Sequence, residues 1–388
     1  MTALMVVYPP DYVLRAARWG PESVVDHLKF PTRALQASAR PFHFAHERDD
    51  GTLHAQLAAA FGVDAPELFL ETAGTHAFIV IVDDTIRYEG YFNGADRETL
   101  GTVFSVTKSV TSALVGAAIA DGLIRDVDDP LTRYLPEFAA RDPRFAQIRL
   151  RHLLTMSSGL RYVDVPFFNG DNIKARFYPD VRRLALTETA VSEAPGARFV
   201  YSDYAPLLLG LVLERVTGRP VSEYLQQRLW TAIGMEYAGA WSVDREGAGL
   251  EKMDGGLAAR AIDLAKLGRL YLNEGRWGAR QVLPAEWVAD STREHRAVDY
   301  DRFYPSHPAF ASHQGYYGYM WWGRRRAADD ADFYASGHLG QFVYVSPRAR
   351  MIIVRTGDRN GLPPLRWIEA FSAIAGGRVV TAHRPTSG

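Results

Sequence analysis

Apolar and polar positions alternate differently in three parts of the chain, and the changes outline its architecture. The segment HAFIVIVDDTIRYEGYF carries two short β-rich runs around Asp83-Asp84, a hairpin signal. A second β-rich block lies near the C-terminus, where ADFYASG, QFVYVSP and MIIVRTG are separated by turn residues and followed by the helical spacing of WIEAFSAIAG. Between the blocks, YAPLLLGLVLERVTG, VSEYLQQRLWTAIGM and AARAIDLAKLGRLYLNEG repeat apolar residues every three to four positions, as amphipathic or buried helices do. The first forty or so residues have Pro and Gly punctuation and little periodicity, and read as an irregular arm on the surface.

The pattern predicts an α/β fold of the α+β type. An antiparallel sheet formed by N- and C-terminal segments is flanked by helices and receives an inserted, mainly helical domain. The expected division is an arm over 1–45, a sheet domain over 46–125 and 305–388, and a helical domain over 126–304. A cleft between such lobes is the expected place for an active site.

Composition narrows the function. The 388 residues are 47% apolar, and 44 basic against 45 acidic residues give a formal charge of −1. That balance offers no electrostatic reason to expect nucleic acid or an anionic membrane as partner. The basic run Arg324-Arg325-Arg326 is followed by Asp329 and Asp330, and reads as a solvated loop. Cysteine is absent, which removes disulfides, thiolate catalysis and Cys-ligated zinc together. His43, His46 and Glu47 suggest a metal site, but the two histidines are three apart in a Pro-flanked loop with no third ligand at a recognised spacing, so neither a metal nor a cofactor is expected. The N-terminal segment has no basic stretch before its apolar run, which breaks at Pro9-Pro10. A cytoplasmic location is therefore expected.

The segment FSVTKSVTSALVGAAIADGL, Phe104 to Leu123, concentrates the candidate chemistry. Ser105 stands where the helical pattern begins and Gly122 where it stops. Ser105 and Lys108, three apart, are neighbours on one helix face. The helix is apolar nearly all round, which predicts burial and a Lys108 withdrawn from water. A serine hydroxyl needs a base to become a nucleophile, and burial favours the neutral amine that can serve as one. A bare SxxK pattern is weak evidence by itself. GxSxG is absent, Ser157-Ser158-Gly159 reads as a turn, and the DGG at 254–256 lacks the context of a nucleotide loop. The aromatic run YYGYMWWG fits either a cleft lining or a core strand.

The SVTK segment is followed in order by DGLIRDVDDPLTRYLPE, LRHLLTMSSGL, PGARFVYSDYAPLLLGLVLERVTG and GHLGQF. This set resembles the serine β-lactamase and penicillin-binding-protein-like hydrolases, most of all the class C-type esterases and 6-aminohexanoate-dimer hydrolases. The resemblance implies that Ser105 is acylated, that Lys108 accepts its proton, and that Tyr201 in YSD shuttles a proton to the leaving group. It implies an oxyanion hole from the backbone N–H groups of Ser105 and Gln341. Tyr162 matches a substrate-contacting tyrosine, and Asp203, His338 and Gly340 fall at substrate-binding positions, with Gly340 letting substrate lie close to the backbone.

Two of these depart from the family pattern. Asp203 stands where relatives have Asn, and next to Lys108 it would raise the lysine pKa. It is expected either to be held by another donor or to move activity to higher pH. His338 stands where many relatives have Lys, and weakens recognition of a substrate carboxylate. The expected reaction is hydrolysis of a small ester through an acyl-enzyme, the alternative a linear amide of the 6-aminohexanoate type. A silent relative that binds an acyl ligand is the rival from another class, and a homodimer is left open.

Overall fold

A computed structural model describes residues 7–47, 51–297, 314–327 and 330–381. Within them, the arm expected to be irregular holds regular elements. Helix α1 (Pro10–Trp19) begins at a proline, whose missing N–H is no loss at a first helical position. Strand β1 (Thr32–Leu35) pairs antiparallel with the distant Gly239–Ser242, Leu35 opposite Gly239. Helix α1 carries Tyr12, Ala16 and Trp19 at helical spacing, all in one apolar cluster, a signature the reading of an irregular arm overlooks, whereas β1 leaves none. Only Tyr12 and Val13 of α1 are buried, and β1 is held by a partner far away in sequence.

Strands β2 (Thr75–Val82) and β3 (Thr85–Tyr91) form the predicted hairpin. Asp83 and Asp84 take φ of 47° and 61°, the left-handed pair that a two-residue mirror-image turn requires. Helix α2 (Val106–Ala120) follows, and every residue from Val106 to Ala118 is buried. The helical middle includes α3 (Asp171–Phe177), α4 (Tyr204–Thr217) and, after β4 (Gly239–Ser242) and β5 (Leu257–Ala259), α5 (Ala261–Leu272). The C-terminal strands β6 (Trp322–Ala327), β7 (Asp330–Gly337), β8 (Gln341–Ser346) and β9 (Met351–Gly357) precede α6 (Pro364–Thr381).

Among the described residues β6, β7, β8, β9, β2 and β3 are successive neighbours in one nine-stranded sheet, whereas β1, β4 and β5 belong to a separate four-stranded sheet. The early strand β2 lies beside the last strand β9, Ile79 opposite Val354, so both chain segments make one sheet, as expected. All pairings are antiparallel except that of Ala45–His46 with β3. Helix α5 packs closely on the sheet: a Cβ on Gly268 would stand 2.9 Å from Ile352 and 3.1 Å from Val343. The Arg324–Arg326 run is not a loop. It lies in β6, where Arg325 pairs with Glu294 and Arg326 with Asp332. The buried cross-strand Asp332 and the partly exposed Glu294 hold the cations there. The aromatic run resolves mainly to core, with Tyr316, Tyr317, Tyr319, Trp321 and Trp322 all buried.

Candidate active site

The chain enters α2 through a left-handed residue, Phe104 (φ 47°), an uncommon conformation for a bulky side chain. Ser105 follows at the N-cap position, but its side chain caps nothing. Instead Ser105 Oγ accepts a hydrogen bond of 2.8 Å from Lys108 Nζ. Lys108 is 1% exposed. Its remaining donors go to the Asp254 carbonyl at 2.8 Å and to Asp203 Oδ1 at 2.8 Å. Three acceptors for three N–H groups are the coordination that an ammonium wants.

Burial is the largest influence on Lys108 and favours the neutral amine. The charges of Asp203, Tyr201 and Asp254 together outweigh it, and the pKa stands above the usual lysine value. Asp203 lies at the N-cap position of α4 without capping it. Its second oxygen accepts 2.8 Å from the Tyr162 hydroxyl. Asp203 is thus held by another donor, one of the two expectations for it, and is also paired to the lysine. Burial and then Asp203 drive the Tyr162 phenol far above its usual pKa, so it stays protonated and can donate to Asp203. The sequence expected Tyr162 to contact substrate, but its hydroxyl is engaged by Asp203.

Tyr201 lies on the lysine from another side. Lys108 Nζ is 4.9 Å from the ring centroid, and the ring stacks on Trp322 at 5.5 Å. The aromatic run of β6 thus backs Tyr201 as well as filling the core.

The turn from β7 to β8 completes the arrangement. A Cβ on Gly337 would come within 3.2 Å of the Ser105 amide nitrogen, so the end of β7 lies against the start of α2. Gln341 is the register partner of Gly337, and its side chain donates 2.6 Å to the Gly357 carbonyl, tying the turn to β9. Gly340 serves another purpose than expected. Its φ is 78°, and a Cβ there would stand 2.1 Å from Arg355 Nη1. The close neighbour is thus the buried Arg355, which donates 2.6 Å to the Gly340 carbonyl, rather than a substrate. His338 lines the cavity beside Ser105. Burial lowers its pKa despite the opposing charge of Glu22, so it supplies no permanent cation.

The Beta-lactamase family model matches residues 71–369 of this chain. The chain belongs to the β-lactamase family. It is 27% identical to the 6-aminohexanoate-dimer hydrolase of Paenarthrobacter ureafaciens over 79% of this chain and 78% of that protein. It is 32% identical to esterase EstB of Burkholderia gladioli over 54% of this chain and 57% of that protein. A solved structure described as a 6-aminohexanoate-dimer hydrolase of Bacillus anthracis superposes with TM-score 0.75 over 98% of this chain and 96% of that one, at 21% identity, and bears on the fold. Membership makes the protein a serine hydrolase. Among the described residues no helix is long and apolar enough to cross a membrane.

In this β-lactamase-family hydrolase a cavity of about 160 Å³ opens at Ser105. Its lining includes Asp203 and His338, and also Lys252 and Asp254, to which the sequence assigns no role, the DGG at 254–256 lacking the context of a nucleotide loop. Lys252 is buried and donates 3.1 Å and 2.5 Å to the carbonyls of Ala175 and Arg176 at the end of α3. Burial lowers its pKa against the charges of Asp254 and Asp244. Burial raises that of Asp254, with Lys252 opposing and Asp203 adding to it. The one available signal was two charged residues flanking a methionine before a glycine pair, too common a pattern to act on.

Proposed function

We propose that the protein hydrolyses small carboxylic esters through an acyl-enzyme on Ser105, with Lys108 as proton acceptor and Tyr201 as proton shuttle to the leaving group. The 2.8 Å bond between Lys108 Nζ and Ser105 Oγ carries this reading, because it joins nucleophile and base inside a buried helix start. In acylation Ser105 Oγ bonds to the acyl carbon while its proton passes to neutral Lys108. The tetrahedral oxyanion then faces the backbone N–H groups of Ser105 and Gln341. Collapse expels the alkoxide, which takes a proton relayed by Tyr201 from Lys108, and water later releases the acid. Asp203 disfavours the resting neutral amine but stabilises the ammonium that forms as the bond is made.

A linear amide is the second reading, favoured by the 6-aminohexanoate-dimer hydrolase, a relative matched over 79% of this chain and 78% of its own. A cytoplasmic location belongs to the same proposal, and cell fractionation checks it. The deciding experiment is fluorophosphonate labelling read by intact mass, beside a panel of p-nitrophenyl esters and an aminohexanoate dimer. One adduct is expected on the wild type and none on Ser105→Ala. An undiminished adduct on Ser105→Ala overturns the assignment.

A further inference from the structure

The cavity at Ser105 is not built from the family-matched segment alone. Glu22, Asp26 and Phe30 of the N-terminal arm line it beside Phe104, Ser105 and His338, although the family model begins only at residue 71. We propose that this arm is a wall of the acyl pocket and that Phe30 gauges the length of acyl chain delivered to Ser105. The proposal rests on the acyl-enzyme reading above.

The arm is fastened to the approach of the nucleophile itself. The Thr102 amide donates 2.7 Å to the Val24 carbonyl, and the His27 amide donates 3.0 Å to Thr102 Oγ1. Thr102 lies three residues before Ser105, so arm and nucleophile share one short segment. Further along, the Val243 amide donates 2.8 Å to the Pro31 carbonyl, where β1 joins β4.

Phe30 is held from several sides. Trp19 meets it edge-on at 4.5 Å, Phe177 of α3 stacks at 6.4 Å, and Lys252 Nζ stands 4.7 Å from its ring centroid. The ring is 7% exposed. It therefore presents a fixed edge to the cavity, since packed aromatic rings leave their sites only by displacing neighbours.

The arm carboxylates that line the cavity are already paired. Arg176 of α3 pairs with Glu22 and, at 2.6 Å, with Asp26, and Asp26 also pairs with Lys29 at 2.8 Å. A chain passing Ser105 meets two aromatic rings, Phe30 and Phe104, and charged groups that are mostly engaged, Glu22 and Asp26 by Arg176, Asp203 by Lys108, and Lys252 by two backbone carbonyls, with Asp254 beside it. Tyr201, assigned to the leaving group, lies outside the cavity lining. The cavity is consequently the acyl side, and its substrates are esters of short, uncharged acyl chains.

The test compares wild type, Phe30→Leu and Phe30→Ala on p-nitrophenyl esters from acetate to octanoate, with fluorophosphonate titration of Ser105 and a thermal melt of each. The octanoate-to-acetate ratio of kcat/KM is expected to rise about tenfold or more in Phe30→Ala, the scale of a few methylenes gaining a pocket, and less in Phe30→Leu. An unchanged ratio in variants that still titrate and melt as the wild type overturns the arm's role. If Phe30→Ala does not fold, Phe30→Leu decides by the same ratio. A wild type that takes no label overturns the Ser105 reading, and this inference with it.

Discussion

Lys108 Nζ stands 2.8 Å from Asp203 Oδ1 and 2.8 Å from Ser105 Oγ, so the base assigned to the serine is also one half of an ion pair. Only the neutral amine can take the serine proton, and Asp203 moves that form to higher pH. In Asp203→Asn the largest upward influence is gone while burial still pushes the lysine down. The acid limb of the kcat/KM profile on an ester is therefore expected to move to lower pH. The plateau rate should fall as well, because the ammonium formed during acylation loses its partner. A pH–rate profile reads both, and a limb that stays in place overturns the argument.

Tyr162→Phe removes the hydroxyl that donates to Asp203 Oδ2. A hydrogen bond to a charged acceptor is worth about 1.5–3 kcal/mol. A loss of that order is expected in urea unfolding, with a lower kcat from a misplaced Asp203. If substrate contact were its main role, KM would rise at unchanged stability.

Arg355 is fully buried and donates to the carbonyls of Ala73 at 3.0 Å and Gly340 at 2.6 Å, with Trp367 4.2 Å from its Cζ. Burial pushes its guanidinium down to about 9, against the charge of Asp358 and with that of Arg359. Arg355→Met fills similar space but strands those carbonyls, each costing about 1–3 kcal/mol. We expect a clear drop in the urea midpoint. We also expect kcat to fall more than KM changes, since the turn it braces carries Gln341.

Gly116 lies in α2, where glycine ordinarily costs a helix about 1 kcal/mol relative to alanine. Here a Cβ would stand 2.4 Å from the Trp287 ring, and a buried indole cannot swing aside. Gly116→Ala should therefore lower stability by about 1–3 kcal/mol, the cost of overpacking, and thermal denaturation gives the sign.

What could be read in the sequence was what local patterns encode. The Asp83-Asp84 hairpin, the buried α2 and the terminal strands all announce themselves within a dozen residues, and the structure has them. Partnerships between distant segments leave no such trace. Nothing near Thr32 points to Ser242, and nothing near Phe30 points to Ser105. Gly340 illustrates the limit at the site: its freedom from a side chain was evident, but the neighbour needing the space, Arg355, comes from the next strand. Asp203 was recognised as a departure, while its simultaneous grip by Lys108 and Tyr162 required three separate segments to be seen together.

The neighbouring of β2 and β9 has a consequence for how the molecule is made. On the ribosome, β2 with Ile79, Val80 and Ile81 gains β3 at once, but its other edge waits for Ile352 to Val354, which are made far later than β2. Until then an apolar strand edge stands open, the kind of surface on which unfinished chains stick together. Yield in cells should accordingly depend on chaperone supply and translation temperature more steeply than the finished protein's stability suggests.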